Sequence, residues 1–267
     1  MKVYFNGRLM AASAVRIDPA DRGLTLGDGL FETIAVRNRK AARTSAHLAR
    51  LRDGAWVLGL GVPYPDRELV GALADVIEAN DITEGVLRLT LTRGPGPRGL
   101  LPTPPAAPSL LITGSAQALG PGESATAVIA TVTRVNEHSA LSGVKATSNL
   151  DNVLAAREAQ ERDADEALLL NAAGNLAEAA TANLFLVMDN NLSTPPVVDG
   201  ALPGVMRADI IGNLGAAERT LRPADLEAAT EAFLTNSLSI RPLVAVDGIA
   251  IGDGKPGPVT EKAQKIV

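Results

Sequence analysis

Cysteine is missing from all 267 residues, which excludes disulfides, thiolate nucleophiles and thiolate metal ligands. Histidine occurs only as His47 and His138, so no His-rich metal site is expected, and a Ser-His-Asp triad would have to use one of these two. A surplus of positive charge is also lacking. The formal charge of −5 at pH 7 argues against nucleic acid or an anionic membrane as the main partner, because both select a basic surface. No apolar run approaches the roughly 18 residues needed to span a bilayer. The opening MKVYFNGRLM lacks the apolar segment of a secretory signal, so the expectation is a cytoplasmic protein. Lysine is scarce too: Lys2, Lys40, Lys145, Lys255, Lys262 and Lys265 are the whole set. Between residues 41 and 254 Lys145 stands alone among arginines. Arginine stays protonated, whereas lysine can shed its proton and attack a carbonyl, so Lys145 is a candidate nucleophile.

Hydrophobic residues make up 46% of the chain, enough for a substantial core. The pattern predicts an α+β fold of two domains, 1–116 and 125–267, joined by QALGPGES (117–124), a Gly/Pro/Ser linker. In the first domain VYFNGRLM reads as a hairpin turning on Asn-Gly, and GLFETIAVR (29–37) as a strand. Helical spacing covers 45–59 and 66–80, and further strands fall at 85–94 and 109–116. The second domain opens with the strand ATAVIATVTRV, followed by a helix over 151–162 that Ser148 or Asn149 can cap. Residues 166–195 read as three strands with turns at NAAGN and DNN. LPG then leads into the helix VMRADIIGNLG, and FLTNSLSIRPLVAVDG reads as strand, loop, strand. His47 lies in the first helical pattern as a local hydrogen-bonding residue; His138 is near Lys145 in sequence but belongs to no motif.

GPGPRG (94–99) matches the spacing of a dinucleotide fingerprint, but that motif needs a helix N-terminus directly after its glycines. Here LLPTPPAAP follows, and proline excludes the helix, so a loop is expected.

A Schiff-base lysine holds an aldehyde cofactor, most often pyridoxal phosphate. The ring nitrogen of that cofactor wants a carboxylate, and its phosphate wants a helix N-terminus, hydroxyls and an arginine. Glu178 lies in an otherwise uncharged strand, LAEAATANLF. In ALPGVMRAD the N–H groups of Val205 and Met206 open a helix, TNSLS offers Asn236 and Ser237, and HLARL offers Arg50.

In their order along the chain, DRGLTLGDGLFET, HLARL, TRGPGPRG, Lys145 followed by NLDNVLAAREA, DEALLLNAAGNLAEAATANLF and LPGVMR resemble the fold-type IV pyridoxal-phosphate enzymes. That family includes branched-chain aminotransferases, D-amino-acid aminotransferases and 4-amino-4-deoxychorismate lyase. The resemblance implies a two-domain α+β enzyme with pyridoxal 5'-phosphate in the cleft between its domains, bound through Lys145 and Glu178. It implies that Arg50, Val205 and Met206 hold the phosphate with Asn236 and Ser237 nearby, and that Leu202 packs on the ring. A homodimer is implied as well. Where D-amino-acid aminotransferases carry a tyrosine this chain has Phe31, and of their Arg-x-His pair only Arg98 remains, followed by Gly99 and Leu100. Phe31 and Arg98 are the expected substrate contacts. KATSNLDNVLA, TRGPGPRG and TNSL look most like the lyase, which expels pyruvate to leave p-aminobenzoate. The alternative is a transaminase that moves an amino group from a D-amino acid, a branched-chain amino acid or an (R)-amine to a keto acid.

Overall fold

The computed structural model describes every residue except Pro105 and Val267. The chain forms two compact units, Met1–Leu119 with Val144–Ser148, and Gly120–Gly143 with Asn149–Val267.

In the first unit, β1 (Lys2–Phe5) and β2 (Arg8–Ala11) form the expected hairpin. Asn6 and Gly7 both take positive φ at its turn, the conformation that makes Asn-Gly favourable there. A short helix, α1 (Arg22–Leu26), precedes β3 (Gly29–Arg37), whose bounds match the sequence pattern, and β4 (Lys40–Ala41). Helices α2 (Thr44–Val57) and α3 (Asp66–Ala79) follow, then β5 (Gly85–Thr92) and β6 (Ser109–Ala116). The sheet runs β2-β1-β6-β5-β3-β4 and is antiparallel throughout. One face carries Leu30, Ile34, Leu87, Leu89, Leu91, Leu110 and Ile112 onto Leu48, Leu51, Leu69 and Leu73 of the helices. Strand alternation sends the intervening residues, Phe31 and Arg88 among them, to the opposite face.

The sequence pattern assigns Lys145 to the second domain; its contacts assign it to the first unit. Residues 144–148 run along the half of β3 that β4 leaves uncovered. The Phe31 N–H donates to the Lys145 carbonyl, and the Thr147 N–H to the Gly29 carbonyl. Val144 packs into the first unit's core, with Ala146 against it.

The second unit contains β7 (Ala125–Ile129), shorter than its apolar run, and α4 (Leu150–Glu161). Asn149 occupies the N-cap position of α4, yet makes no side-chain cap bond. Then come β8 (Glu166–Leu170), β9 (Leu176–Ala179), β10 (Asn183–Met188) and β11 (Asn191–Thr194). Residues 166–194 therefore hold four strands rather than three. Next are α5 (Val205–Leu214), β12 (Ala217–Glu218), α6 (Pro223–Ala228), β13 (Glu231–Thr235), β14 (Ile240–Val246), β15 (Ile249–Ala250) and α7 (Pro258–Gln264). Their mixed sheet runs β12-β11-β10-β13-β14-β7-β8-β9, with β15 beside β14. Phe185 and Phe233 sit opposite each other on β10 and β13 and stack at 5.0 Å, beneath Met206 and Ile210 of α5. Among the described residues no helix is long and apolar enough to cross a membrane.

Candidate active site

Lys145 owes its position to main-chain pairing. Because Val144 and Ala146 face the core, alternation turns the intervening side chain to the Phe31 face of β3. The Lys145 Nζ accordingly stands 4.5 Å from the centre of the Phe31 ring. The Arg88 guanidinium, from the neighbouring strand, lies 3.8 Å from the same centre.

On the other face, Glu32 is buried at 1% exposure. Two residues of α2 reach it: His47 Nδ1 at 2.7 Å from Oε2, and Arg50 through Nε to Oε1 at 2.8 Å and Nη2 to Oε2 at 2.6 Å. His47 and Arg50 are three apart in sequence, so both project from one side of the helix. Burial alone would push the Glu32 carboxyl up, but its bonds to Arg50 and His47 outweigh that and hold it below the usual glutamate value. A carboxylate only accepts, so His47 must present Nδ1–H to it. His47 is thus the local hydrogen-bonding residue expected, and Arg50 is a guanidinium fixed by a buried acid.

Residues 93–104 form the expected loop, and Arg98 lies on it exposed to solvent. Its base is tied down by charge. Asp28 accepts from Arg93 Nε at 2.7 Å and from Arg22 Nε at 2.9 Å. Arg22 in turn donates to the carbonyls of Gly99 and Leu100 at 2.9 and 2.7 Å. Arg93 donates to the carbonyls of Gly59 and Leu58.

In the second unit, Glu178 on β9 is half-buried, and its Oε2 accepts the Leu202 N–H at 2.9 Å. The Leu202 carbonyl takes the Asn183 Nδ2–H at 2.9 Å. Asn183 therefore braces the Leu-Pro-Gly turn from beneath. Gly204 leaves no room for a side chain there, since a Cβ would fall 2.0 Å from Asn183 Oδ1. Directly after this turn α5 begins at Val205, and the first N–H groups of any helix have no acceptor within it. Met206 points its side chain into the core, so only its main chain is at hand for a ligand. Asn236 is spent on its own loop. Its Oδ1 accepts the N–H groups of Leu238 and Ser239, and its Nδ2 lies 3.4 Å from the Thr181 carbonyl. Ser237 is half-buried in that loop. His138 sits in a separate turn of this unit, its N–H on Asn136 Oδ1, whereas Lys145 belongs to the other unit.

The sequence reading passed over Glu32, Arg88 and Asn183. For Glu32 a signal existed: a carboxylate on the apolar face of GLFETIAVR, in register with Leu30 and Ile34, demands partners. Arg88 resembles any polar residue on the open face of a strand, and Asn183 any residue at a strand start.

With this geometry in view, the chain belongs to the class IV amino-transferase family, whose model matches residues 29–246. Over 99% of its length it is 31% identical to the D-alanine aminotransferase of Bacillus licheniformis, 95% of which is covered. The branched-chain amino acid aminotransferase of Escherichia coli superposes with a TM-score of 0.93 at 28% identity, covering 99% of this chain and 92% of that one. A Legionella pneumophila protein, provisionally described as a 4-amino-4-deoxychorismate lyase, superposes with a TM-score of 0.86 at 29% identity and 94% coverage of each chain. The protein is thus a pyridoxal-phosphate-dependent enzyme with the α+β fold of this class. Its residues suit that cofactor: Lys145 on a segment pinned to β3 by main-chain hydrogen bonds, a half-buried carboxylate, and a glycine turn opening a helix.

Proposed function

We propose that the protein is an amino-acid transaminase, passing an amino group from an amino acid to a 2-keto acid. What supports this most is the 31% identity to a D-alanine aminotransferase along 99% of the chain; Lys145 beside β3 and Glu178 on the Leu202 N–H agree with it. Bound pyridoxal phosphate would supply an electron sink for the bond that breaks at the substrate α-carbon. Lys145 Nζ would take the α-proton and later return a proton as the amino group changes hands. Glu178 would keep the ring nitrogen protonated, and the N–H groups of Val205 and Met206, the loop of Asn236 and Ser237, and Arg50 would hold the phosphate. Leu202 would cover a ring face. Phe31 and Arg98 would meet the substrate.

A second reading is 4-amino-4-deoxychorismate lyase, favoured by the Legionella pneumophila neighbour and by the TRGPGPRG loop. A half-reaction separates the two. Holoprotein is mixed with D-alanine, L-leucine or an (R)-amine without keto acid, and the visible cofactor band is followed. Bleaching by one donor supports transamination and names its class. A persistent band together with p-aminobenzoate release from aminodeoxychorismate supports the lyase. The reading also carries a cytoplasmic homodimer, checked by sedimentation of the holoprotein and by cell fractionation.

A further inference from the structure

Two neighbouring side chains of the second unit leave hydrogen-bonding capacity unused. Thr235 is 1% exposed, and its hydroxyl has no partner among the described residues. Asn183, directly opposite on β10, donates its Nδ2–H to the Leu202 carbonyl, while its Oδ1 accepts no hydrogen bond among the described residues. Directly opposed residues share one face of a sheet. Here it is the face under α5, because Phe185 and Phe233, two positions along the same strands, cluster with Met206 and Ile210.

A third group lies above them. Arg207, in the first turn of α5 and 4% exposed, reaches the Pro195 carbonyl and Glu218 through Nη2 at 2.8 and 3.0 Å, yet its Nε–H is buried without a partner. The Arg207 Cβ and Asn183 Oδ1 lie 3.1 and 2.0 Å from the point where Gly204 would carry a Cβ. They can be no further apart than those two distances laid end to end. Unbonded polar groups are unfavourable in such a place. The hydroxyl can give or take, Nε–H only gives, and Oδ1 only takes. An anion would be repelled by the amide oxygen and a cation by the guanidinium. A water suits all three, and a buried water typically makes about three hydrogen bonds.

We infer that Thr235, Asn183 and Arg207 hold a buried water beneath the first turn of α5, and that Thr235 acts through it as a positioning residue for the cofactor phosphate. The water fixes the Asn183 amide at its Oδ1 end. Its Nδ2 end then stays on the Leu202 carbonyl, while the Leu202 N–H stays on Glu178. The Leu-Pro-Gly turn is thereby held from the sheet, and with it the first N–H groups of α5. The water follows from geometry within the second unit; its effect on the cofactor rests on the proposed reading in which α5 receives the phosphate.

The test joins a high-resolution crystal structure of the holoprotein to the rate of pyridoxal-phosphate release on dilution. Density is expected for a water within hydrogen-bond distance of Thr235 Oγ1 and of Asn183 Oδ1 or Arg207 Nε. Thr235→Val keeps the shape and removes the hydroxyl, so it should lose this water and release the cofactor roughly 3- to 10-fold faster. Thr235→Ser keeps the hydroxyl and should retain the water and the wild-type rate. A packing role alone predicts the reverse order, since serine loses a buried methyl group and valine does not. No water at that place overturns the inference, and the wild-type density decides this even where a variant folds poorly. Release from Thr235→Val at the wild-type rate also overturns it, as does a Thr235→Val more stable than wild type, the result that removal of an unbonded hydroxyl would give. Phosphate density away from α5 overturns the cradle reading instead, and the water is then judged by its own density.

Discussion

Glu32 Oε2 and His47 Nδ1 lie 2.7 Å apart, each side chain 1% exposed, inside a core built mainly of leucine, isoleucine and valine. Arg50 completes the group by gripping both carboxylate oxygens. Removing one member strands the others in an apolar setting, which is costlier than the group is worth. Glu32→Gln should therefore destabilise the protein by about 3 kcal/mol. Because Arg50 would lose its anchor, the variant should also release pyridoxal phosphate faster. Thermal unfolding and cofactor release on dilution check the two effects separately; a variant as stable as wild type would show that the group is dispensable.

The same carboxylate gives a direction with pH. Glu32 titrates lower in the folded protein than its ordinary value of 4.5. Its stabilising contribution is thus complete above that value and is lost as pH falls through the depressed folded value. Wild type should lose stability over this acidic window, and Glu32→Gln should lose less, so their unfolding midpoints converge on acidification.

Glu166 behaves in the opposite sense. It is buried on β8, and burial raises its pKa despite hydrogen bonds from the Thr181 hydroxyl at 2.5 Å and from the Ala167 N–H. For an acid raised in this way, ionisation costs stability as pH climbs past the unfolded value. Glu166→Gln keeps an acceptor for Thr181 and removes the charge. It should match or exceed wild-type stability at pH 8 and lose that advantage near pH 4, as read from denaturant midpoints at both values.

Lys145→Ala should abolish turnover, by roughly a thousandfold or more, since in the proposed mechanism both the amine and the general base go together. Its fold should survive, because Phe31 and Gly29 bind the main chain of residues 145 and 147 rather than the lysine side chain. Circular dichroism should be unchanged while activity disappears. Retained activity would sink the assignment.

Gly204→Ala tests the proposed phosphate cradle. An alanine Cβ would collide with Asn183 Oδ1, and relief requires moving either Asn183 or the turn ahead of α5. Cofactor affinity should fall at least tenfold while the unfolding transition stays cooperative, read by fluorescence titration with pyridoxal phosphate.

Residue pattern foretold much of this molecule where local physics decides. β3 and β6 have the bounds their alternation implies, and Asn6-Gly7 makes the turn that its dihedral freedom favours. The loop after Gly94 lacks a helix for the reason its prolines give. What escaped notice depends on distant partners. Lys145 joins the first unit only because β4 is too short to cover β3, a fact of pairing that no nearby residue records. Glu32 meets residues 15 and 18 positions away, and Arg88 meets an aromatic ring on another strand. Asn149 shows the converse: a residue type suited to capping that makes no cap.

The loop at 93–104 bears on how such an enzyme diversifies. Its ends are moored by Arg22, Asp28 and Arg93, and Arg22 holds main-chain carbonyls of Gly99 and Leu100, which every amino acid possesses. Leu100 and Leu101 at the tip are 81% and 85% exposed and contribute nothing to the core. Anchorage is thereby indifferent to the identity of the tip. Mutation can rewrite those positions at little thermodynamic risk, so the segment is an exchangeable cassette that selection, or a combinatorial library, can vary while the scaffold beneath stays as it is.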